Sequence, residues 1–178
     1  MISLREIDMS NFTAVSDLKV NDEQKEFVGS ADWIIALAYA DRSRNAHVLA
    51  IMLNETPIGV VMTSEYAMKD ESGFYYIPQI FIDIAYQQCG YGRQAMMLII
   101  GVLSAERLYD SIRLDVDQAD IAAINLYRSL GFIETGYSDL AHPDLLFFGL
   151  KSSTANNLKL FPLFRWQLQV IYCKEIAP

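Results

Sequence analysis

One stretch near the middle of the chain constrains its architecture more than any other. Residues 74–84, FYYIPQIFIDI, are aromatic and β-branched apart from Pro78, Gln79 and Asp83, which predicts a long strand. Pro78 cannot donate a ladder hydrogen bond, so the strand is expected to diverge or bulge there. Gln87-Gln88-Cys89-Gly90-Tyr91-Gly92-Arg93 follows as a glycine-bearing turn. Residues 91–108 then show a strongly apolar face and predict a long helix. A glycine turn between strand and helix suits phosphate. Its backbone can approach closely, and the helix N-terminus offers unpaired N–H groups at the positive end of the dipole. Gln87-x-x-Gly90-x-Gly92 therefore reads as a pyrophosphate cradle with Arg93 as a nearby cation.

The rest of the chain supplies the other elements. Ile2 and Leu4 alternate with polar neighbours and predict a short first strand. Ser10 or Asn11 can cap a helix running to about Val20. A second helical stretch covers residues 22–28. A third begins after Ser30, with Trp33, Ile34, Leu37 and Ala38 at helical spacing. Residues 47–53 and 58–66 flank Asn54-Glu55-Thr56-Pro57 and predict a β-hairpin with a four-residue loop. After the long helix come a short strand at 112–116 and a helix opened or capped by Asp120. That helix ends near Gly131, a residue suited to the left-handed C-terminal position. Strands at 132–137 and 145–150 complete the series.

Two dinucleotide or nucleotide motifs compete with this reading. Gly90-x-Gly92-x-x-Ala95 fits GxGxxG/A, with Asp115 or Asp117 at about the distance of a ribose contact. Gln87 and Gln88, however, separate the strand from the first glycine, and too few βα units follow to build a doubly wound sheet. No Gly-Lys-Ser/Thr is present, which excludes a P-loop.

The turn after the long strand resembles the acetyl-CoA-binding motif of the GCN5-related N-acetyltransferases, the GNAT family. A second match, Ala123-Ile124-Asn125-Leu126-Tyr127-Arg128-Ser129-Leu130-Gly131-Phe132, is similar to that family's helix-to-strand signature. The resemblance covers about residues 2–150. It implies an α/β (α+β) fold with a mixed, mostly antiparallel sheet of about seven strands, splayed at the coenzyme strand and flanked by helices. It also implies acetyl-CoA as cosubstrate and no metal. Ile80, Phe81 and Ile82 would offer backbone groups to the pantetheine arm and thioester, and Gln87, Gln88, Cys89, Gly90, Tyr91, Gly92 and Arg93 would hold the pyrophosphate. Tyr127 matches the tyrosine that protonates the departing thiolate. Its phenol keeps its proton at neutral pH, with an ordinary pKa within reach of a thiol's. Asp115 is a carboxylate candidate for the base, with Glu65 and Asp83 as rivals. Two positions depart from the family pattern: Asp120 stands where Asn is common and contacts coenzyme, and Cys89 stands where a basic residue is common.

Residues 19–38 resemble the entry region of spermine/spermidine acetyltransferase-type members. The whole chain carries 14 Lys plus Arg against 22 Asp plus Glu, a net charge of −8. An acidic chain repels nucleic acid and anionic membranes and attracts cations. Glu23, Glu26 and Glu65 are accordingly expected to recruit a small cationic amine, with spermidine or spermine as the acceptor. A protein N-terminus, an aminoglycoside and a non-catalytic acyl-CoA-binding module are the alternatives. Cys89 and Cys173 are too few for a disulfide scaffold. His47 and His142 lie far apart with no HExxH or CxxC, which argues against a zinc site. The N-terminus lacks a basic start and the longest nearly apolar run, residues 95–105, is too short to span a bilayer, so a cytoplasmic location is expected.

The last 28 residues differ in composition, with four Lys/Arg against one Glu, whereas the first 150 hold 10 against 21. Residues 152–157 read as a linker, and residues 164–172 alternate in the manner of a strand. Such an aromatic strand is expected to pack on its own domain or to extend a partner's sheet, which would make a homodimer.

Overall fold

The computed structural model describes residues 1–68, 72–151 and 153. Seven strands form one sheet: β1 (Ile2–Glu6), β2 (His47–Leu53), β3 (Thr56–Ala67), β4 (Gly73–Ile82), β5 (Ser111–Asp117), β6 (Ile133–Glu134) and β7 (Leu145–Lys151). Their spatial order is β1-β2-β3-β4-β5-β7-β6, and every pairing is antiparallel except β4 with β5. The tail strand expected at 164–172 lies outside the described residues.

Helices cover the sheet unequally. The long helix α3 (Tyr91–Glu106) and α4 (Ile121–Ser129) pack on one face. Met96, Ile99, Ile100 and Leu103 of α3 meet Ile51, Val61, Ile112 and Leu114 there. Ile112, Leu114 and Val116 alternate with Arg113, Asp115 and Asp117, so the period of two turns one face of β5 into core. On the opposite face α1 (Phe12–Ser16) and α2 (Ala31–Ala40) bury Ala50, Met52, Val60, Met62 and Phe81. These two helices pack against β2 and β3.

Several local expectations change. The first helix stops at Ser16, not near Val20. Lys19 is tied to the end of β4, where its N–H donates to Asp83 Oδ2 at 2.7 Å and its carbonyl accepts from Ile84 N. The Asn11 side chain bonds to Asp8 and Glu6 and caps nothing. Residues Asp22–Glu26 form a 3₁₀ turn instead of an α-helix. The hairpin loop shortens to Asn54-Glu55, because Thr56 and Pro57 pair with Leu53 and Met52. Trp33 is 51% exposed, and its ring lies over Gly29 instead of entering the core. The strand expected at 132–137 shrinks to Ile133–Glu134, with Gly136 at a φ of 71° breaking its line. Ser30 caps α2 through Trp33 N, and Gly131 takes the left-handed position after α4 at a φ of 88°.

Candidate active site

The central parallel pair is incomplete. β4 meets β5 only at Tyr75–Ile112 and Tyr76–Arg113, after which the two strands part. The divergence begins at Pro78. On the other side of β4 the register with β3 slips between Met62 and Ser64, so Ile77 and Pro78 together oppose Thr63. A proline that cannot donate to the ladder, next to a bulge, ends the pairing. Ile80, Phe81 and Ile82 still pair with β3, but beyond Tyr76 no β5 residue pairs with them. A cleft of about 530 Å³ opens in the gap. It reaches the loop before α3, α4 and the 3₁₀ turn after α1.

The loop at the start of α3 has a backbone shape that a regular turn would not give. Gln88 and Gly90 both lie in the left-handed region, at φ 59° and 78°. Gly90 is the N-cap of α3, where no side chain caps the first N–H groups. Left-handed residues alternating with ordinary ones turn successive N–H groups toward one side, and the helix dipole adds positive potential there. A Cβ on Gly92 would meet Ile82 and Leu126 only at ordinary contact distances, 3.8 and 3.9 Å. Packing within the chain therefore does not demand glycine at 92.

Several expected ligands of the coenzyme prove to hold the loop's frame. Gln87 Nε2 donates to Ile82 O and to Gln24 Oε1, both at 2.8 Å, and so ties the 3₁₀ turn to the end of β4. Arg93 Nη1 donates to Ser129 Oγ at 2.6 Å, which clamps α3 to the end of α4. Asp120 caps α4 by accepting from Ala123 N at 2.9 Å. All three side chains nevertheless border the cleft, as do Gln88, Gly90 and Gly92. Cys89 is exposed and does not line it. Tyr91 packs against the main core instead. Asp83 accepts from Lys19 N and Ala85 N and is committed to that joint.

Tyr127 and Asp115 both line the cleft. The Tyr127 ring is buried against Phe132, edge to face, at a centroid distance of 5.9 Å. Burial pushes its phenol above the ordinary range, with the charges of Asp120 and Asp115 adding to the effect. Asp115 is mostly buried, which raises its carboxyl to about 6 against the opposing pull of its own backbone N–H and of His142. Its Oδ1 accepts a hydrogen bond from the Tyr76 hydroxyl. The site thus holds a phenol that keeps its proton and a carboxylate poised to exchange one near neutrality.

The acidic residues expected to receive the acceptor are not in this cleft. Glu23 and Glu26 point to solvent, while Asn21, Gln24 and Phe27 face the gap. The reason is the 3₁₀ geometry: three residues per turn put positions 21, 24 and 27 on one side. Glu65 lies on β3 and accepts from Asn45 Nδ2 at 2.7 Å. Gln24, Gln79 and Tyr76 are the contributors that sequence reasoning missed. Gln79 Oε1 accepts from Gly29 N and fixes the chain across the cleft. None of the three carries a motif. Only the three-residue spacing of 21, 24 and 27 was there to be read.

A sheet that opens at one strand pair, with an uncapped helix N-terminus at the opening, defines a class of α/β proteins with room for an anionic group beside a free strand edge. Residues 2–132 match the family described as the acetyltransferase (GNAT) family, and the chain belongs to it. It is an acetyltransferase of that family. Spermine/spermidine N(1)-acetyltransferase of Bacillus subtilis (strain 168) is 25% identical over 141 residues, covering 78% of this chain and 91% of that protein. The fold is shared with spermidine N-acetyltransferase from Vibrio cholerae, solved in complex with CoA and spermine. Its TM-score is 0.67 at 19% identity, with 88% of this chain and 98% of that one covered. It is also shared with aminoglycoside N(6')acetyltransferase from Legionella pneumophila, with a TM-score of 0.69 at 15% identity over 88% and 95%. No helix among the described residues is long and apolar enough to cross a membrane.

Proposed function

We propose that this protein moves an acetyl group from acetyl-CoA to the primary amine of a small cationic acceptor. The observation that carries the reading is that one cleft holds an uncapped helix N-terminus, an unpaired strand edge, a proton-bearing phenol and a carboxylate that titrates near neutrality. Polyamines enter as the acceptor class because the Bacillus subtilis relative carries that name and because a chain of net charge −8 attracts polycations.

The coenzyme supplies the activated acyl group, and the N–H groups after Gln88 face its diphosphate. The unpaired edge of β4 at residues 80–82 orients the pantetheine arm and the thioester. Asp115 takes a proton as the amine nitrogen attacks the acetyl carbon. As the carbon–sulfur bond breaks, Tyr127 gives its phenolic proton to the sulfur. Burial keeps the phenol protonated in the resting cleft but weakens it as an acid, so transfer relies on the thiolate being formed in the same poorly solvated cleft, which raises its own proton affinity. The products are an amide and a free thiol.

Amine-dependent thiol release tests the reading. The wild type is expected to release thiol from acetyl-CoA with at least one member of a panel of polyamines, aminoglycosides and simple alkyl and aryl amines. Tyr127→Phe should lower kcat by about 10²-fold or more while leaving the Kd for coenzyme A unchanged. Unchanged turnover in that variant removes the tyrosine from the reaction. A second acceptor class, an amine on an apolar body, is favoured by a separate cavity.

A further inference from the structure

The sheet face opposite α3 carries a second cleft, of about 810 Å³. It exists because α1 and α2 cover only the other half of that face. Its walls are rings. Tyr66 and Phe74 stack with centroids 5.1 Å apart and planes 7° from parallel, and Tyr76 stands edge-on to Tyr66 at 5.3 Å. Across the gap Tyr137 meets Phe147 edge-on at 4.8 Å. Apart from the Tyr76 hydroxyl on Asp115, nothing in the acetyl-transfer chemistry uses these rings.

The two clefts adjoin at one hydrogen bond. Tyr76 lines the ring-walled cleft and donates to Asp115, which lines the coenzyme cleft. An amine whose body lies among the rings therefore meets the carboxylate at the boundary, with the open edge of β4 beyond it. Two guanidiniums flank the rings, and one is already paired: Arg44 Nη1 donates to Asp41 Oδ1 at 2.8 Å. Arg113 lies 4.1 Å over Phe74, and Arg44 lies 4.4 Å over Tyr66. Among the described lining residues there is no carboxylate. A polyamine seated here would set its further ammonium groups beside the Arg113 guanidinium, with no lining carboxylate among the described residues to receive them. A flat apolar body needs no counter-charge there and gains ring-to-ring contacts.

We propose that this second cleft holds the body of the acceptor, and that the acceptor is a primary amine carried on an aromatic group, with a single ammonium delivered to Asp115. The proposal rests on the acetyl-transfer reading and narrows its acceptor. The reaction balances: the ammonium first gives one proton to solvent, the free amine's nitrogen–carbon bond then forms as a second proton passes to Asp115, and the carbon–sulfur bond breaks as Tyr127 gives its proton to sulfur.

The test uses the full chain with 2-phenylethylamine, tryptamine, spermidine and spermine, measuring both turnover and binding in the presence of coenzyme A. The aromatic amines should exceed the polyamines in kcat/KM by at least about tenfold. Tyr137→Ala, an exposed position whose truncation leaves the core intact, should raise KM for 2-phenylethylamine about three- to tenfold while sparing kcat and coenzyme binding. Higher kcat/KM for a polyamine overturns the proposal and leaves acetyl transfer standing. Binding of 2-phenylethylamine that Tyr137→Ala weakens, without any thiol release, supports the cleft assignment and removes the acetyl-transfer reading. Failure of 2-phenylethylamine to bind overturns the cleft assignment.

Discussion

Replacing Asp115 with Asn should make the protein more stable and less active, and the size of the gain should depend on pH in a defined way. Folded Asp115 keeps its proton up to about 6, against an ordinary 3.8, and the first cause is burial. That gap corresponds to about 3 kcal/mol of penalty on the ionised form. Below the ordinary value the carboxyl is neutral in both states and costs nothing. As pH rises from about 4 to 6 only the unfolded chain ionises, so stability falls; above about 6 the penalty is constant. Asparagine removes it and still offers Oδ1 to the Tyr76 hydroxyl. The charge-assisted character of that bond is lost, which returns about 1–2 kcal/mol. The net expectation at pH 7.5 is a gain of about 1–2 kcal/mol, or roughly 3–6 °C in Tm for a chain of this length. Thermal melts of both proteins across pH 3.5–8 read it out, with amine-dependent thiol release recorded alongside. The gain should shrink to nothing or turn slightly negative near pH 3.5, while activity at pH 7.5 falls by about 10²-fold or more. A variant less stable than wild type at pH 7.5, or a gain independent of pH, would refute the argument that burial of this carboxylate is what sets its proton affinity.

Two further outcomes follow from the loop before α3. Gly90→Ala forces a side chain into φ 78°, which should cost about 1–2 kcal/mol in chemical denaturation and weaken coenzyme A binding in a titration; a neutral result on both would mean the loop relaxes freely. Gln87→Ala removes the ties to Ile82 O and Gln24 Oε1, so hydrogen exchange over residues 22–28 should quicken and the KM for acetyl-CoA should rise. Unchanged exchange there would show that the turn's own capping box, in which Asn21 Oδ1 accepts from Gln24 N and Gln24 Oε1 from Asn21 N, holds it unaided.

Where local chemistry decided the outcome, the chain was readable. Asp120 caps because a carboxylate three residues before Ala123 N can accept its proton, and Pro78 ends pairing because it has no N–H to give. The short strand at 112–116 is found as β5, one residue longer at each end. Misreadings arose where a distant residue intervened. Asp83 claims the backbone at Lys19 and stops the first helix early. The turn at Asp22–Glu26 tightens to three residues per turn, which sends Glu23 and Glu26 outward. The bond from Gln87 to Gln24 could not be read, because motif position says nothing of a residue 63 positions earlier. The ring-walled cleft was invisible for the same reason: Tyr66, Tyr137 and Phe147 share no segment and meet only because β7 returns beside β5.

Charge and rings should act on an acceptor at different distances. Residues 1–42 contain eight acids and four bases, and the acids that face solvent there contact nothing in either cleft. Their field still raises the local concentration of a cation, over a range that salt shortens to about 8 Å at physiological ionic strength. The ring contacts are short-range and apolar, and salt does not screen them. Raising NaCl from about 0.02 to 0.5 M should therefore lower kcat/KM for any amine through encounter. The ratio of wild type to Tyr137→Ala for 2-phenylethylamine should stay constant over the same series. A ratio that collapses with salt would mean that Tyr137 acts through the electrostatic field around Arg113 and Asp115, and that the rings do not hold the acceptor by contact.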